Sequence, residues 1–347
     1  MPDPTLQRFE VADPIHGHVP CAAVVPASGA APRALCLFLY GGGGSRESLA
    51  EIEPLLQAWW ASDRLAPMIV ATPDVGPWSF YLDDPARGLG WESFVAQRLT
   101  ASLQVRSRAG AQLPLGAVGI SMGGYAALKL AFAPAHAFAA IAAISPMIEP
   151  TLEAADVRPR NRYHYPPEVP QALLGVDRDP GLYRGDHPAA RAQRNARALR
   201  AAELAIYIDA AGSDALNAHD GAEHLHRVLW DLDVAHEYHL RKDSDHVGPD
   251  LIDRLEQGFT WVSSRLVPAP APQLNEHERA WDSWLASDRS AAAPDALPPT
   301  SPLFSRVLRA QLEPLRRAAE ASDPTFARRC GLVQDPPRIG PVATRAM

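Results

Sequence analysis

The chain has 347 residues, 47% of them hydrophobic and 21% charged, with a formal net charge of −7. That balance suits a globular protein with a substantial core, and it offers no basic footprint for a nucleic acid. No uninterrupted apolar run reaches the roughly 20 residues needed to span a bilayer, so neither a nucleic-acid nor a membrane partner is expected.

The start of the chain lacks the charged segment and apolar run of a signal peptide. Three cysteines, Cys21, Cys36 and Cys330, leave one unpaired and match no metal-ligand spacing. Reduced thiols in the cytoplasm are therefore expected, with no metal and no cofactor. Residues 6–12 and 18–26 predict an antiparallel pair joined through Asp13-Pro14-Ile15-His16-Gly17. Residues 34–40 read as a continuous apolar strand, the kind covered on both faces. A helix is predicted at 47–62, where Ile52, Leu55, Leu56 and Trp59 recur at helical spacing. There follow a strand at 67–72, a long loop, a helix at 91–109, a strand at 115–120, a helix over 125–132 and a strand at 138–145.

Residues 146–203 are rich in proline and aromatics, including Tyr163, Tyr165 and Tyr183, and predict an irregular insertion near the site. Beyond them come a strand at 204–209, a helix near 218–231, a strand at 234–240 and a helix at 248–264. Strands alternating with helices imply an α/β domain over residues 1–266, with a mostly parallel sheet and helices on both faces. Residues 267–347 begin with a Pro/Ala run and predict a helical C-terminal extension, with helices near 276–286 and 302–322. Pro314 should kink or restart the second of these. Leu303, Val307, Leu308, Leu312 and Leu315 form an apolar stripe expected to dock on its own domain. Homo-oligomer contact through the extension is the other reading.

The segment Gly119-Ile120-Ser121-Met122-Gly123 places a serine between a strand and a helix. Such a serine must turn sharply at positive φ, and its neighbours two positions away must lack a Cβ so that the elements can pass closely. A hydroxyl becomes a useful nucleophile when a base takes its proton and a third group orients that base. His246 sits in the polar loop Lys242–Gly248 after the final strand, where such a base belongs. For the acid, Asp214 just past the preceding strand is favoured, with Asp209 and Asp220 as rivals. An oxyanion needs two amide donors. Met122, directly after the serine, supplies one. The run Gly41-Gly42-Gly43-Gly44 after the strand ending at Tyr40 supplies the other, Gly42 first and Gly43 next. That run lacks the endings and spacings of phosphate-binding loops. Trp78 and Tyr81, with aromatics of the insertion, are expected to line the pocket. His219, His224 and His226 lie on or near one helix, but His224 and His226 face differently, so a solvated face explains them better than a metal.

Together these residues resemble the esterase D family of α/β-hydrolases, which includes S-formylglutathione hydrolases, feruloyl and siderophore esterases, and mycolyltransferases. The resemblance covers roughly residues 6–266 and rests on Leu39–Ser45, Gly119–Gly124, Ala211–Asp214 and His246. Trp78-Ser79-Phe80-Tyr81 followed by Gly90–Phe94 is similar to the aromatic segment and helix start that precede the nucleophile in that family. It implies an α/β-hydrolase fold, a triad of Ser121, Asp214 and His246, and a small-molecule ester substrate. Tyr40 departs from the family, standing where many relatives have histidine, and the insertion and extension have no counterpart. The expected function is a serine hydrolase that cleaves carboxylic or thio esters through an acyl-enzyme on Ser121. An acyltransferase or a non-catalytic binding protein on the same scaffold are the alternatives.

Overall fold

The computed structural model describes residues 5–134, 137–164, 180–268 and 273–322. Cys330, Tyr165 and the side chain of Tyr163 lie outside the described part. The chain divides into two compact units, Met1–Pro268 and Ala269–Met347.

The main sheet of the first unit has eight strands among the described residues: β1 (Leu6–Asp13), β2 (Gly17–Val24), β3 (Ala34–Leu39), β4 (Met68–Pro73), β5 (Leu115–Ile120), β6 (Phe138–Ile144), β7 (Ala205–Ala211) and β8 (Glu237–Arg241). Their spatial order is β1-β2-β4-β3-β5-β6-β7-β8. β1 and β2 form an antiparallel hairpin and β2 meets β4 antiparallel, while every later neighbour pairs in parallel. The apolar runs of β3 and β4 are buried at every position, as strands covered on both faces must be. The edge strand β8 has no wholly buried residue.

Helices α1 (Ser48–Ala61), α2 (91–106), α3 (Met122–Ala131), α4 (Pro188–Ala201), α5 (Ala218–Asp231) and α6 (Leu251–Leu266) cover the sheet. Side-chain alternation in β5 assigns α3 and α6 to opposite faces. A Cβ on Gly116 would meet Val262 and Leu266 of α6, and Val118 touches the same helix at Gly258. Gly119, of the other parity, faces Gly123 of α3. α2 ends at Arg106 and contains a wider π turn over Phe94–Leu99, a departure from the regular helix that the spacing predicts to residue 109.

The described parts of the insertion are more regular than its composition predicts. Two short helices, Pro159–His164 and Pro180–Asp186, precede α4, which restores the strand–helix alternation before β7. α4 buries Ala189, Ala190, Ala192 and Leu199 among arginines, and a face made mostly of alanine gives little periodic signal. His187 caps this helix: Nδ1 accepts from the Ala189 amide (3.2 Å) while Nε2 donates to the Glu149 carbonyl (2.7 Å). Burial pushes its pKa down to about 4, so the ring is neutral when it caps.

The second unit contains α7 (Glu276–Ala286), started by a reciprocal capping box between Asn275 and Glu278, and α8 (Phe304–Ser322). They enclose Trp281, Leu297, Leu303 and Val307. α8 runs through Pro314 as one helix, with no restart there. Its apolar stripe is split: Leu303 and Val307 are buried, but Leu308, Leu312 and Leu315 are 45%, 49% and 67% exposed. α8 has 19 residues against 11 in α7, and among its described side chains those that meet the Trp281 cluster lie in the first turns. No helix among the described residues is long and apolar enough to cross a membrane.

Candidate active site

Ser121 stands between β5 and α3 with φ 55° and ψ −115°, in the left-handed half of the map. Three backbone hydrogen bonds hold it there. Its amide donates to the Ile144 carbonyl (2.9 Å), and its carbonyl accepts from Tyr125 (3.0 Å) and Met147 (3.1 Å). The crossing of strand and helix demands glycine on both sides. A Cβ on Gly123 would lie 1.8 Å from the Leu39 carbonyl oxygen, and one on Gly119 would lie 2.1 Å from the Gly123 carbonyl oxygen.

His246 Nε2 lies 2.8 Å from Ser121 Oγ, and its Nδ1 lies 2.7 Å from Asp214 Oδ2. The other carboxylate oxygen of Asp214 accepts from the Leu216 amide at 2.8 Å. His246 and Asp214 are 5% and 4% exposed. Of the rival acids, Asp209 lies within β7 and accepts from Arg241 Nε (2.8 Å) and Arg254 Nε (2.6 Å). Asp220, on α5, accepts from Arg158 at 2.9 Å. Neither touches His246.

The acid loop and the histidine loop are joined to each other. Ser213 donates its amide to the Ser244 carbonyl (2.9 Å), and Asp245 Oδ1 accepts from the amides of Ala215 (2.8 Å) and His246 (2.6 Å). Those two amides hold the Asp245 carboxyl below the usual aspartate range. Nothing in composition or spacing marks Asp245 as part of the site, although its place beside His246 is a hint.

The glycine run resolves into different roles. The Gly43 amide donates to the Pro77 carbonyl (2.8 Å) and the Gly44 amide to the Gly41 carbonyl (3.1 Å). The amides of Gly42 and Met122 have no backbone acceptor among the described residues; Met122 opens α3, where the first amides lack intrahelical partners. Gly41 abuts Ser121, since a Cβ there would sit 3.4 Å from Ser121 Cβ. Gly42 must lack a side chain because the Trp78 ring would lie 2.2 Å from its Cβ.

A cavity of about 410 Å³ opens onto Ser121 and His246, walled by Trp78, Phe80, Ile52, Met147, Leu251 and Glu51. Of the two aromatics, Trp78 lines this cavity and Tyr81 does not. Phe80 and Tyr81 both adopt positive φ (48° and 53°), and this double left-handed turn exchanges the aromatic that faces the cavity. Tyr81 is wholly buried beside Tyr40, ring centroids 5.8 Å apart, and its carbonyl accepts from buried Lys129 Nζ at 2.7 Å. Tyr183 is buried as well, its hydroxyl donating to the Thr151 carbonyl (2.8 Å). The role of Tyr40 was hidden in the sequence: its hydroxyl accepts from the Val75 amide (2.8 Å) and donates to the Gly76 carbonyl (3.3 Å), anchoring the loop that leads to Trp78. Among the described residues, no group of three His, Cys, Asp or Glu side chains could hold a metal ion.

A family model described as "Putative esterase" matches residues 61–245. No curated protein sequence matches the chain. Solved structures with a similar fold include a ferulic acid esterase, 18% identical with a TM-score of 0.60, where the match covers 74% of this chain and 97% of that one. An S-formylglutathione hydrolase from Agrobacterium tumefaciens is 18% identical with a TM-score of 0.58, covering 75% and 95%. A fluorophosphonate-binding serine hydrolase of Staphylococcus aureus is 16% identical with a TM-score of 0.56, covering 74% and 98%. At such identities the likeness establishes the architecture, a mostly parallel sheet flanked by helices. With a family match over more than half its length, the chain belongs to the esterase family and is a carboxylic ester hydrolase, and its architecture is the α/β-hydrolase fold.

Proposed function

We propose that Ser121 is the nucleophile of this esterase, His246 its general base and Asp214 the group that orients the imidazole. One observation carries the reading: an unbroken line of hydrogen bonds, Ser121 Oγ to His246 Nε2 at 2.8 Å and His246 Nδ1 to Asp214 Oδ2 at 2.7 Å, at the foot of an apolar cavity. A proton kept on Nδ1 by the carboxylate leaves Nε2 as the acceptor for the serine proton.

Ser121 Oγ attacks the ester carbonyl carbon as its proton passes to Nε2. His246 then gives that proton to the departing alcohol oxygen while the carbon–oxygen bond breaks, leaving an acyl group on Ser121. Water attacks this acyl-enzyme, its proton goes to His246 and then to Oγ, and the acid is released. The amides of Gly42 and Met122, which have no backbone acceptor among the described residues, are the pair assigned to stabilise the negative charge that develops on the carbonyl oxygen.

The cavity wall suits an uncharged ester with an apolar group. Among its described lining residues there is no lysine or arginine, and Glu51 disfavours a carboxylate nearby. Cys21 and Cys36, buried and without disulfide partners, support a reducing, cytoplasmic setting.

Replacing Ser121 by alanine should lower kcat for p-nitrophenyl butyrate by about 10⁶ and abolish labelling by a fluorophosphonate, with the circular dichroism spectrum unchanged. Retained turnover in that variant would overturn the assignment.

A further inference from the structure

Arg254, on the first turn of α6, is 2% exposed and takes no part in the chemistry above. Its guanidinium reaches three acceptors: Nε donates to Asp209 Oδ1 (2.6 Å), Nη1 to the Asp245 carbonyl (3.0 Å) and Nη2 to Ser145 Oγ (2.6 Å). Each acceptor belongs to a stretch next to one member of the triad. Asp245 immediately precedes His246. Asp209 lies in β7, whose end leads into the Asp214 loop. Ser145 follows Ile144, whose carbonyl accepts the Ser121 amide, and the Ser145 amide itself donates to the Asp209 carbonyl at 2.7 Å.

We propose that Arg254 is a positioning residue that sets His246 against Ser121 and Asp214 by tying together three neighbouring stretches: the end of β6, whose last carbonyl accepts the Ser121 amide, strand β7, which leads into the Asp214 loop, and the loop that carries His246. This inference rests on the catalytic roles proposed for those residues.

A buried ion pair is a poor device for stability alone. Desolvation offsets most of its Coulomb gain, and well-packed apolar residues of similar volume often serve as well or better. Asp209, wholly buried, nonetheless engages two arginines, since Arg241 Nε donates to its second oxygen at 2.8 Å. Arg241 belongs to the same support: its carbonyl accepts from the Gly212 amide (2.7 Å) and the Ser244 amide (3.2 Å), one on each loop. Ser145 is held at φ 41°, a strained setting for a serine that its contacts must maintain. The planar fork of an arginine can serve three acceptors in fixed directions, which lysine cannot reproduce.

The test compares Arg254→Met, the charge-balanced pair Arg254→Met with Asp209→Leu, and Arg254→Lys in the full chain. Melting temperature, the rate of fluorophosphonate labelling, kcat and KM for p-nitrophenyl butyrate, and the pH profile of kcat/KM are measured for each. The expected result is a fall of about 100-fold in kcat and labelling rate, the scale of a 1 Å misplacement. KM should stay within about twofold and the acid limb of the pH profile should move. The double variant should regain melting temperature without regaining rate, and Arg254→Lys should melt near wild type yet remain slow. A folded double variant or lysine variant with wild-type kcat and pH profile would make Arg254 structural only and end the proposal. Wild-type turnover that survives Ser121→Ala would instead refute the functional reading beneath it, so the two failures are distinguishable.

Discussion

The turn that carries Ser121 and the loop that carries His246 meet across one 2.8 Å hydrogen bond, yet they are held by different forces. At the serine, Gly119 and Gly123 allow two backbones to pass at distances that admit no side chain, and the serine's amide and carbonyl are engaged by backbone partners. At the histidine, side chains do the holding. Asp245 takes two amides, Arg254 takes a carbonyl, and Asp214 takes the imidazole itself. Steric fixation is all-or-none and has no titratable group, so it should respond to substitution and not to pH. Polar fixation is graded, and each contact can be weakened separately.

The largest expected effect on stability is on the steric side. A Gly123→Ala methyl would overlap the Leu39 carbonyl, whose oxygen lies 1.8 Å from the ideal Cβ position. Relief requires α3 to lift from the sheet, at a cost of about 3 kcal/mol or more. Urea unfolding should report that loss, and a variant as stable as wild type would show that the elbow is looser than its contacts imply. Next comes Asp214→Asn, which keeps the shape of the site but favours the wrong imidazole tautomer. Its kcat should fall by about 10⁴ with little change in melting temperature. A parallel loss of stability would mean that the carboxylate is mainly a loop brace.

The smallest effect separates acceptor geometry from charge. Asp245 is exposed, so Asp245→Ala should lower kcat roughly tenfold or less at pH 7, while Asp245→Asn, which keeps an acceptor oxygen, should stay near wild type. Its carboxyl is held below the usual range, so the folded state favours the ionised form. The resulting stabilisation is complete above the ordinary aspartate value and is lost as pH falls through the lowered one. Melting curves of wild type and Asp245→Ala should therefore converge only in acid. Convergence already at pH 7 would remove Asp245 from the support of the loop.

The two regions also differ in how far the sequence reveals them. The elbow is legible because its cause is local: a residue forced to positive φ between apolar strand and helix formers, with glycines where Cβ atoms would collide. His246 was legible from chain order, since one position follows the last strand. Asp214 was favoured over Asp209 and Asp220 only by its place just past the strand, and packing gives each rival its own arginine partner. Gly42 and Gly43 are likewise equivalent as letters, and only the folded loop directs the Gly43 amide to Pro77. The Phe80–Tyr81 turn reversed the expected aromatic for a similar reason, because no pattern announces two successive non-glycine residues at positive φ.

By itself, the sequence determined the alternation of strands and helices, the strained serine turn, and the chain order of Ser121, Asp214 and His246 relative to the strands. Each of these follows from short-range sterics or hydrophobic period, which neighbouring residues set. Tertiary structure alone decided which carboxylate meets the imidazole, which glycine amides take a backbone acceptor, which aromatic faces the cavity, and which three acceptors Arg254 reaches. Those choices depend on hydrogen bonds between residues far apart in the chain, and each is made by competition among donors and acceptors that only the packed fold brings within reach.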